Sequence, residues 1–175
     1  DGEVAVLELA RRLLVRGASL DSVPNLARRC GGVYVESRER HLNHAEDLGR
    51  YDFCVFDRLR HFEHYCQRGL MEGKIGLERR EPGIFYCNAG RGCAYDCSFC
   101  GGGRSAQRFI AGRINVAWRP VPAMLRDLLR MPDYGLDTWY NTFQPSRDED
   151  WFLEMFAAIR GAGLRIKMIQ ECLHV

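Results

Sequence analysis

Gly83-Ile84-Phe85-Tyr86-Cys87-Asn88 follows Pro82 and leads through Ala89-Gly90 into Arg91-Gly92-Cys93-Ala94-Tyr95-Asp96-Cys97-Ser98-Phe99-Cys100-Gly101-Gly102-Gly103. The first six residues form a short apolar, aromatic-rich run, which predicts a buried strand. The loop behind it carries Cys93, Cys97 and Cys100 in a C-x3-C-x2-C spacing with an aromatic before the last cysteine. Three thiolates on one loop can hold three irons of a cubane cluster, and no fourth cysteine completes a ferredoxin-type set. Such a cluster keeps one iron open, and an open metal position marks a chemical site rather than a structural one. The alternatives are a zinc site and a redox pair. Zinc, however, takes four ligands, usually from two separated pairs, and only one cysteine cluster is present. Gly101, Gly102 and Gly103 remove side chains where the backbone must turn sharply or approach a ligand closely.

Outward from this loop the pattern alternates. Residues 106–111 read as a short helix. Residues 122–131 have helical spacing, with Met124, Leu125, Leu128 and Leu129 as the apolar face. Residues 137–140 read as a second strand after Gly135. Residues 148–160 read as a helix burying Trp151, Phe152, Met155, Phe156 and Ile159, with Asp148 and Asp150 in its first turn, where the dipole favours acids. Gly161 and Gly163 end it, and 164–169 read as a third strand. Strand–helix alternation at this rhythm predicts a parallel sheet with right-handed crossovers. The expected fold class is therefore α/β: the first three βα units of a TIM-type barrel, whose active sites lie on loops after the strands. Three strands do not close a barrel. Asp1 in place of a methionine, and Val175 inside an apolar run, suggest a fragment of a longer protein.

Upstream, residues 3–15 have helical spacing, with Leu7, Ala10, Leu13 and Leu14 on one face and a stop at Gly17. Residues 26–29 and 33–35 flank Cys30-Gly31-Gly32, which predicts a two-stranded hairpin with a glycine turn. The polar stretch 41–51 reads as an extended linker, 58–68 as a short helix, and 71–81 as irregular.

Composition narrows the function classes. Of 175 residues, 46% are hydrophobic and the net charge is +2. Near-balanced charge argues against a nucleic-acid partner, which needs a basic excess. The uncharged apolar runs are too short to span a bilayer, so no membrane is expected. No signal peptide is recognisable. The eight cysteines do not read as the disulfide framework of a small secreted domain, and a reducing, cytoplasmic setting is expected. Cys30, Cys54, Cys66, Cys87 and Cys172 are scattered and read mostly as small buried hydrophobes.

At the cysteine loop the chain resembles the radical S-adenosylmethionine superfamily, whose signature is C-x3-C-x2-C with an aromatic before the third cysteine. The resemblance implies a 4Fe-4S cluster on Cys93, Cys97 and Cys100, with S-adenosylmethionine chelated at the open iron and cleaved reductively to a 5′-deoxyadenosyl radical. In such systems the cofactors carry the hard chemistry, and the protein binds, orients and shields. The resemblance further implies an electron donor such as flavodoxin or ferredoxin and a small-molecule or peptide substrate. Asp1-Gly2-Glu3, the Val23-Pro24-Asn25-Leu26 step, the Gly-Gly hairpin and Gly101-Gly102-Gly103-Arg104-Ser105-Ala106-Gln107-Arg108 are similar to the cobalamin-binding subfamily. Residues 1–80 would be the connector after a cobalamin-binding domain, and 81–175 the N-terminal half of the barrel. Cobalamin is thus implied for the parent protein. Its histidine motif, Asp-x-His-x-x-Gly, is not among these residues, and His41, His44, His61, His64 and His174 do not match it.

The chain departs from the family after the second strand. A Gly-Gly-Glu-like segment there usually holds the methionine amine, and here Trp139-Tyr140-Asn141-Thr142-Phe143-Gln144-Pro145 offers no carboxylate. Asn141 or Gln144 can accept from the amine through an amide carbonyl, with less electrostatic help than a carboxylate gives; both also read as ordinary loop residues. Phe99 would shield the cluster near the adenine, or else pack in the core. Glu171 at the third strand's end would meet cofactor or substrate, or else act as a helix cap or surface carboxylate. Arg91 and Arg104 flank the loop as cations for the reduced cluster or the cofactor carboxylate, or as solvated surface residues. Two other function classes stay open: a radical enzyme without cobalamin, such as a methylthiotransferase-like protein, and a non-catalytic iron–sulfur or zinc module.

Overall fold

The computed structural model describes residues 1–62, 83–141, 146 and 148–170. The chain divides into two compact units, Asp1–Asn43 and His44–Val175. Among the described residues no helix is long and apolar enough to cross a membrane.

The first unit holds helix α1 (Glu3–Leu13) and a hairpin of β1 (Ala27–Cys30) and β2 (Val33–Glu36). Glu3 in the first turn of α1 and Arg11 and Arg12 in the last oppose its dipole. The strands pair antiparallel from Ala27↔Glu36 to Cys30↔Val33. Gly31 and Gly32 close them, both at positive φ, as a tight two-residue turn requires. The hairpin was legible in the sequence, but its burial was not: Tyr34 and Leu14 are exposed, and α1 buries no residue. Asn25 orders this unit. Its backbone is left-handed, and its side chain donates to the carbonyls of His41 (2.7 Å) and Asp1 (3.1 Å) while accepting from the His41 amide.

The second unit contains the main core. Strand β3 (Gly83–Tyr86), β6 (Leu136–Asn141) and β7 (Lys167–Gln170) form a parallel sheet in the order β3-β6-β7. Between β3 and β6 lie a short strand β4 (Gly90–Arg91), helix α3 (Arg104–Ala111), a short strand β5 (Ala117–Trp118) and helix α4 (Val121–Arg130). Helix α5 (Glu149–Gly161) connects β6 to β7 and packs on α4. Val121, Met124 and Leu128 recur at helical spacing on α4 and meet Phe85, Leu136, Trp139, Trp151 and Met155 in one cluster. The buried indoles find acceptors: Trp139 donates to the Cys87 carbonyl (2.8 Å) and Trp151 to the Arg119 carbonyl (2.7 Å). Asp148 caps α5 by accepting from the Trp151 amide at 3.0 Å. Parallel strands alternating with helices are present as expected; a three-stranded sheet does not by itself distinguish a barrel from an open sheet.

Several local expectations need correction. The expected linker contains a helix, α2 (Ala45–Arg50). The Asp47 carboxylate accepts from the His44 amide at 2.9 Å, and Leu48 is buried, so one apolar anchor and a cap hold a segment that looks polar throughout. The third strand begins at Lys167 rather than 164, because the Leu164 amide closes the end of α5 by donating to the Ile159 carbonyl. Asn141 lies within β6 rather than in a loop. Leu129 and Phe156 stay half exposed, and Cys30 is exposed rather than buried. Phe56–Arg58 forms a 3-10 turn; most of the expected 58–68 helix, all of 71–81, Cys66, Cys172, His64 and His174 lie outside the described residues.

Candidate functional site

The cysteine loop starts from a fixed point. Past β3, the Cys87 amide donates to the Tyr140 carbonyl at 3.1 Å, which extends the ladder by one residue. Ala89 is completely buried, and its peptide groups are held on two sides. Its amide donates to the Asn141 side-chain oxygen at 3.0 Å, and its carbonyl accepts from the Arg119 amide at 2.8 Å. Next, β4 pairs antiparallel with β5, Gly90 opposite Trp118 and Arg91 opposite Ala117. Gly92 then turns the chain at φ +82°, where a Cβ would lie 2.8 Å from both the Asn115 carbonyl oxygen and Cδ of Arg113. Only glycine fits there, immediately before Cys93.

Two successive turns arrange the cysteines. The Cys100 amide donates to the Cys97 carbonyl (3.0 Å) and the Gly103 amide to the Cys100 carbonyl (3.4 Å), while the Arg104 amide closes the loop on the Tyr95 carbonyl (2.7 Å). Backbone amides also point at sulfur: Tyr95 to Cys93 Sγ and Gly102 to Cys100 Sγ, both at 3.4 Å. Such N–H···S contacts aim donor hydrogens at two of the three sulfurs. Asp96 ties the loop to α3, accepting from the Ser105 amide at 3.2 Å and from the Ser105 hydroxyl. These bonds hold its carboxyl below the ordinary value near 3.8. Gly103, the residue before α3, has no side chain to cap the helix, and Asp96 supplies the acceptor across the loop.

All three thiols are free; Cys93 and Cys97 are half-buried and Cys100 is exposed. Two other thiols differ. Burial pushes Cys54 up to about 12 and Cys87 up to about 11, so both stay protonated at neutral pH. Cys87 is close in sequence to the loop yet belongs to the core. The donor chemistry of the loop suits a thiolate-held cluster: three accessible sulfurs, with amides aimed at two of them. Their present arrangement does not gather them. Among the described residues, no group of three His, Cys, Asp or Glu side chains is placed to hold a metal ion. Loading would therefore require the thiols to turn toward a common point.

The other sequence candidates separate. Phe99 is 91% exposed, which removes the core-packing alternative for it. Gly101 and Gly102 are exposed, and a Cβ at Gly101 would meet open space, so no steric need for glycine exists there in this arrangement. Gly103 approaches Tyr95 and Asp96 closely, its Cβ position 3.2 Å from the Tyr95 carbonyl oxygen. Arg91 is half-buried and Arg104 exposed. Asn141 is fully buried at the C-terminal end of β6. Gln144 and Glu171 lie outside the described residues.

Sequence reasoning missed two features. A cleft of about 360 Å³ runs along β3 and the loop entry, lined by Phe53, Phe56, Phe62, Tyr86, Asn88 and Arg91 among others. A buried ion pair joins Arg119 to Asp127 at 2.6 Å, with Arg119 also donating to the Leu48 and Tyr51 carbonyls and stacking over Phe53 at 4.6 Å. Burial pushes the Asp127 carboxyl up, and the Arg119 guanidinium pulls against it. An acid three residues from Met124 on an apolar helix face was the available signal. No protein-family model matches the chain, and neither a curated protein nor a solved structure is significantly similar to it.

Proposed function

We propose that the chain belongs to a radical S-adenosylmethionine enzyme in which Cys93, Cys97 and Cys100 hold a 4Fe-4S cluster. When bound, the cluster supplies the electron that cleaves S-adenosylmethionine to a 5′-deoxyadenosyl radical. The observation that carries the reading is three free, accessible thiols on one loop beyond the C-terminal end of a parallel strand. Active-site residues of β/α barrels come from such positions.

In this reading the chain's own residues divide the work. The Tyr95 and Gly102 amides point at two of the three sulfurs, and Gly92 and Asp96 fix the two ends of the loop. Phe99, largely exposed, is free to cover a bound cofactor beside Gly101, whose Cβ position meets open space. Gln144 and Glu171, outside the described residues, belong to the cofactor side by their sequence positions after β6 and β7, whereas Asn141 is completely buried with its Oδ1 taken by the Ala89 amide and supports the site from within the protein. Residues 1–80 serve as a connector to a cobalamin-binding domain and 81–175 as the first part of a barrel. The reaction is cobalamin-dependent methyl transfer or related radical chemistry, in the cytoplasm, on a small molecule or peptide, with reductant from a flavodoxin or ferredoxin.

Iron content tests this. Anaerobically reconstituted wild-type chain is expected to carry close to four irons, and Cys97→Ala close to none. Full iron in C97A, or zinc in place of iron in the wild type, would overturn the reading.

A further inference from the structure

The C-terminal ends of all three parallel strands meet at one side chain. Asn141, the last residue of β6, is completely buried. Its Oδ1 accepts from the Ala89 amide just beyond β3 at 3.0 Å, and its Nδ2 donates to Oε1 of Gln170, the last residue of β7, at 2.6 Å. The orientation of the Asn141 amide is dictated rather than chosen. A backbone N–H is only a donor, so the oxygen must face Ala89 and the NH2 group is left for Gln170.

We propose that Asn141 is a positioning residue for the cysteine loop, acting through the Ala89 peptide, with Gln170 locking its amide. The proposal rests on the iron–sulfur reading for its purpose, though not for its geometry. The Ala89 amide is buried and has no water to turn to; without the Asn141 oxygen it is an unsatisfied donor, which costs more than the bond itself contributes. The chain then relieves the donor by lifting Ala89 off the sheet. Gly90 and Arg91 follow directly in β4, and Cys93 comes after the Gly92 turn, so a shift at Ala89 passes straight to the first thiol. Both ends of the Asn141 side chain are engaged within the protein, which directs its effect to the loop.

The two amides make a specific exchange test possible. Asn141→Asp keeps an acceptor for Ala89, and Gln170 can flip to donate its NH2. Gln170→Glu keeps an acceptor for the Asn141 NH2. The double variant N141L/Q170L removes the Asn141–Gln170 pair together and leaves the Ala89 N–H as the unsatisfied group. Amide hydrogen exchange at Ala89, and iron per chain after reconstitution, are measured for wild type, N141L, N141D, Q170E and the double variant.

Each single carboxylate variant is expected to stay within about threefold of wild type in Ala89 exchange, while N141L and the double variant exchange about tenfold faster or more, and iron falls with them. Unchanged Ala89 protection in the double variant overturns the proposal, as does a loss in N141D or Q170E equal to the loss in the double. The double variant and the two single carboxylate variants decide the matter even where N141L fails to fold. A wild-type chain that takes up no iron would sink the iron–sulfur reading while the exchange data still judge the anchor.

Discussion

Replacing Gly92 by alanine should damage the site more than any other glycine change in the loop. Gly92 sits at φ +82°, and an added Cβ would lie 2.8 Å from the Asn115 carbonyl oxygen. The left-handed backbone costs an L-residue about 1–2 kcal/mol. Overlap with a backbone atom that cannot swing aside adds about 1–3 kcal/mol. G92A is therefore expected to lose about 2–5 kcal/mol. Gly103 has an ordinary φ of −66° and a Cβ position 3.2 Å from the Tyr95 carbonyl, so G103A should lose about 1 kcal/mol. Gly101 has open space around its Cβ position, and G101A should stay within about 0.5 kcal/mol of wild type. The three tryptophans, Trp118, Trp139 and Trp151, all lie in the second unit, so urea unfolding followed by their fluorescence reads this unit alone. Iron uptake should fall in G92A and persist in G101A. A G92A midpoint equal to that of G101A would refute the reasoning.

Other expectations concern the supports of the site. Arg119→Met leaves the buried Asp127 carboxylate with only the Arg126 guanidinium, at 3.9 Å, as a cation among the described residues and should cost about 3–5 kcal/mol in the same fluorescence assay, most of it recovered in R119M/D127L; an R119M chain as stable as wild type would dismiss the pair as a support. A neutral alkylating reagent at pH 8 should label Cys93, Cys97, Cys100 and the exposed Cys30 in the native chain but reach Cys54 and Cys87 only after unfolding, read by peptide mass spectrometry. The Asp96 link to α3 should respond to acid in one direction. Its folded-state value is depressed, so the link contributes fully above the ordinary value near 3.8 and is lost as pH falls through the lower folded value. Protection of the Ser105 amide should persist at pH 4.5; loss of protection already at pH 5 would contradict this.

The parts of the fold legible in the sequence were those written in local pattern. The apolar run around Phe85 announced β3, Gly31-Gly32 announced the hairpin turn, and the spacing of Met124 and Leu128 announced α4. What stayed hidden depends on distant partners. Helix α2 has one buried apolar residue, and it is held by Arg119, which donates to the Leu48 carbonyl from 71 positions away. Asn141 read as a loop residue because no local signal marks it; it becomes a strand residue through its pairing with Gln170 of β7. At the site, the three cysteines were evident from spacing alone. The steric demand at Gly92 was not, because it arises from Asn115 and Arg113 folding back against the turn. The expected need for glycine at Gly101 finds no steric basis, while the one at Gly103 does.

The central claim is that Cys93, Cys97 and Cys100 hold a cluster with an open iron that S-adenosylmethionine occupies. Electron paramagnetic resonance of the anaerobically reconstituted, reduced chain tests it most directly, recorded with and without S-adenosylmethionine. The account predicts a reduced 4Fe-4S signal whose g values shift when S-adenosylmethionine is added. A cluster signal indifferent to S-adenosylmethionine, or no cluster signal at all, would contradict it.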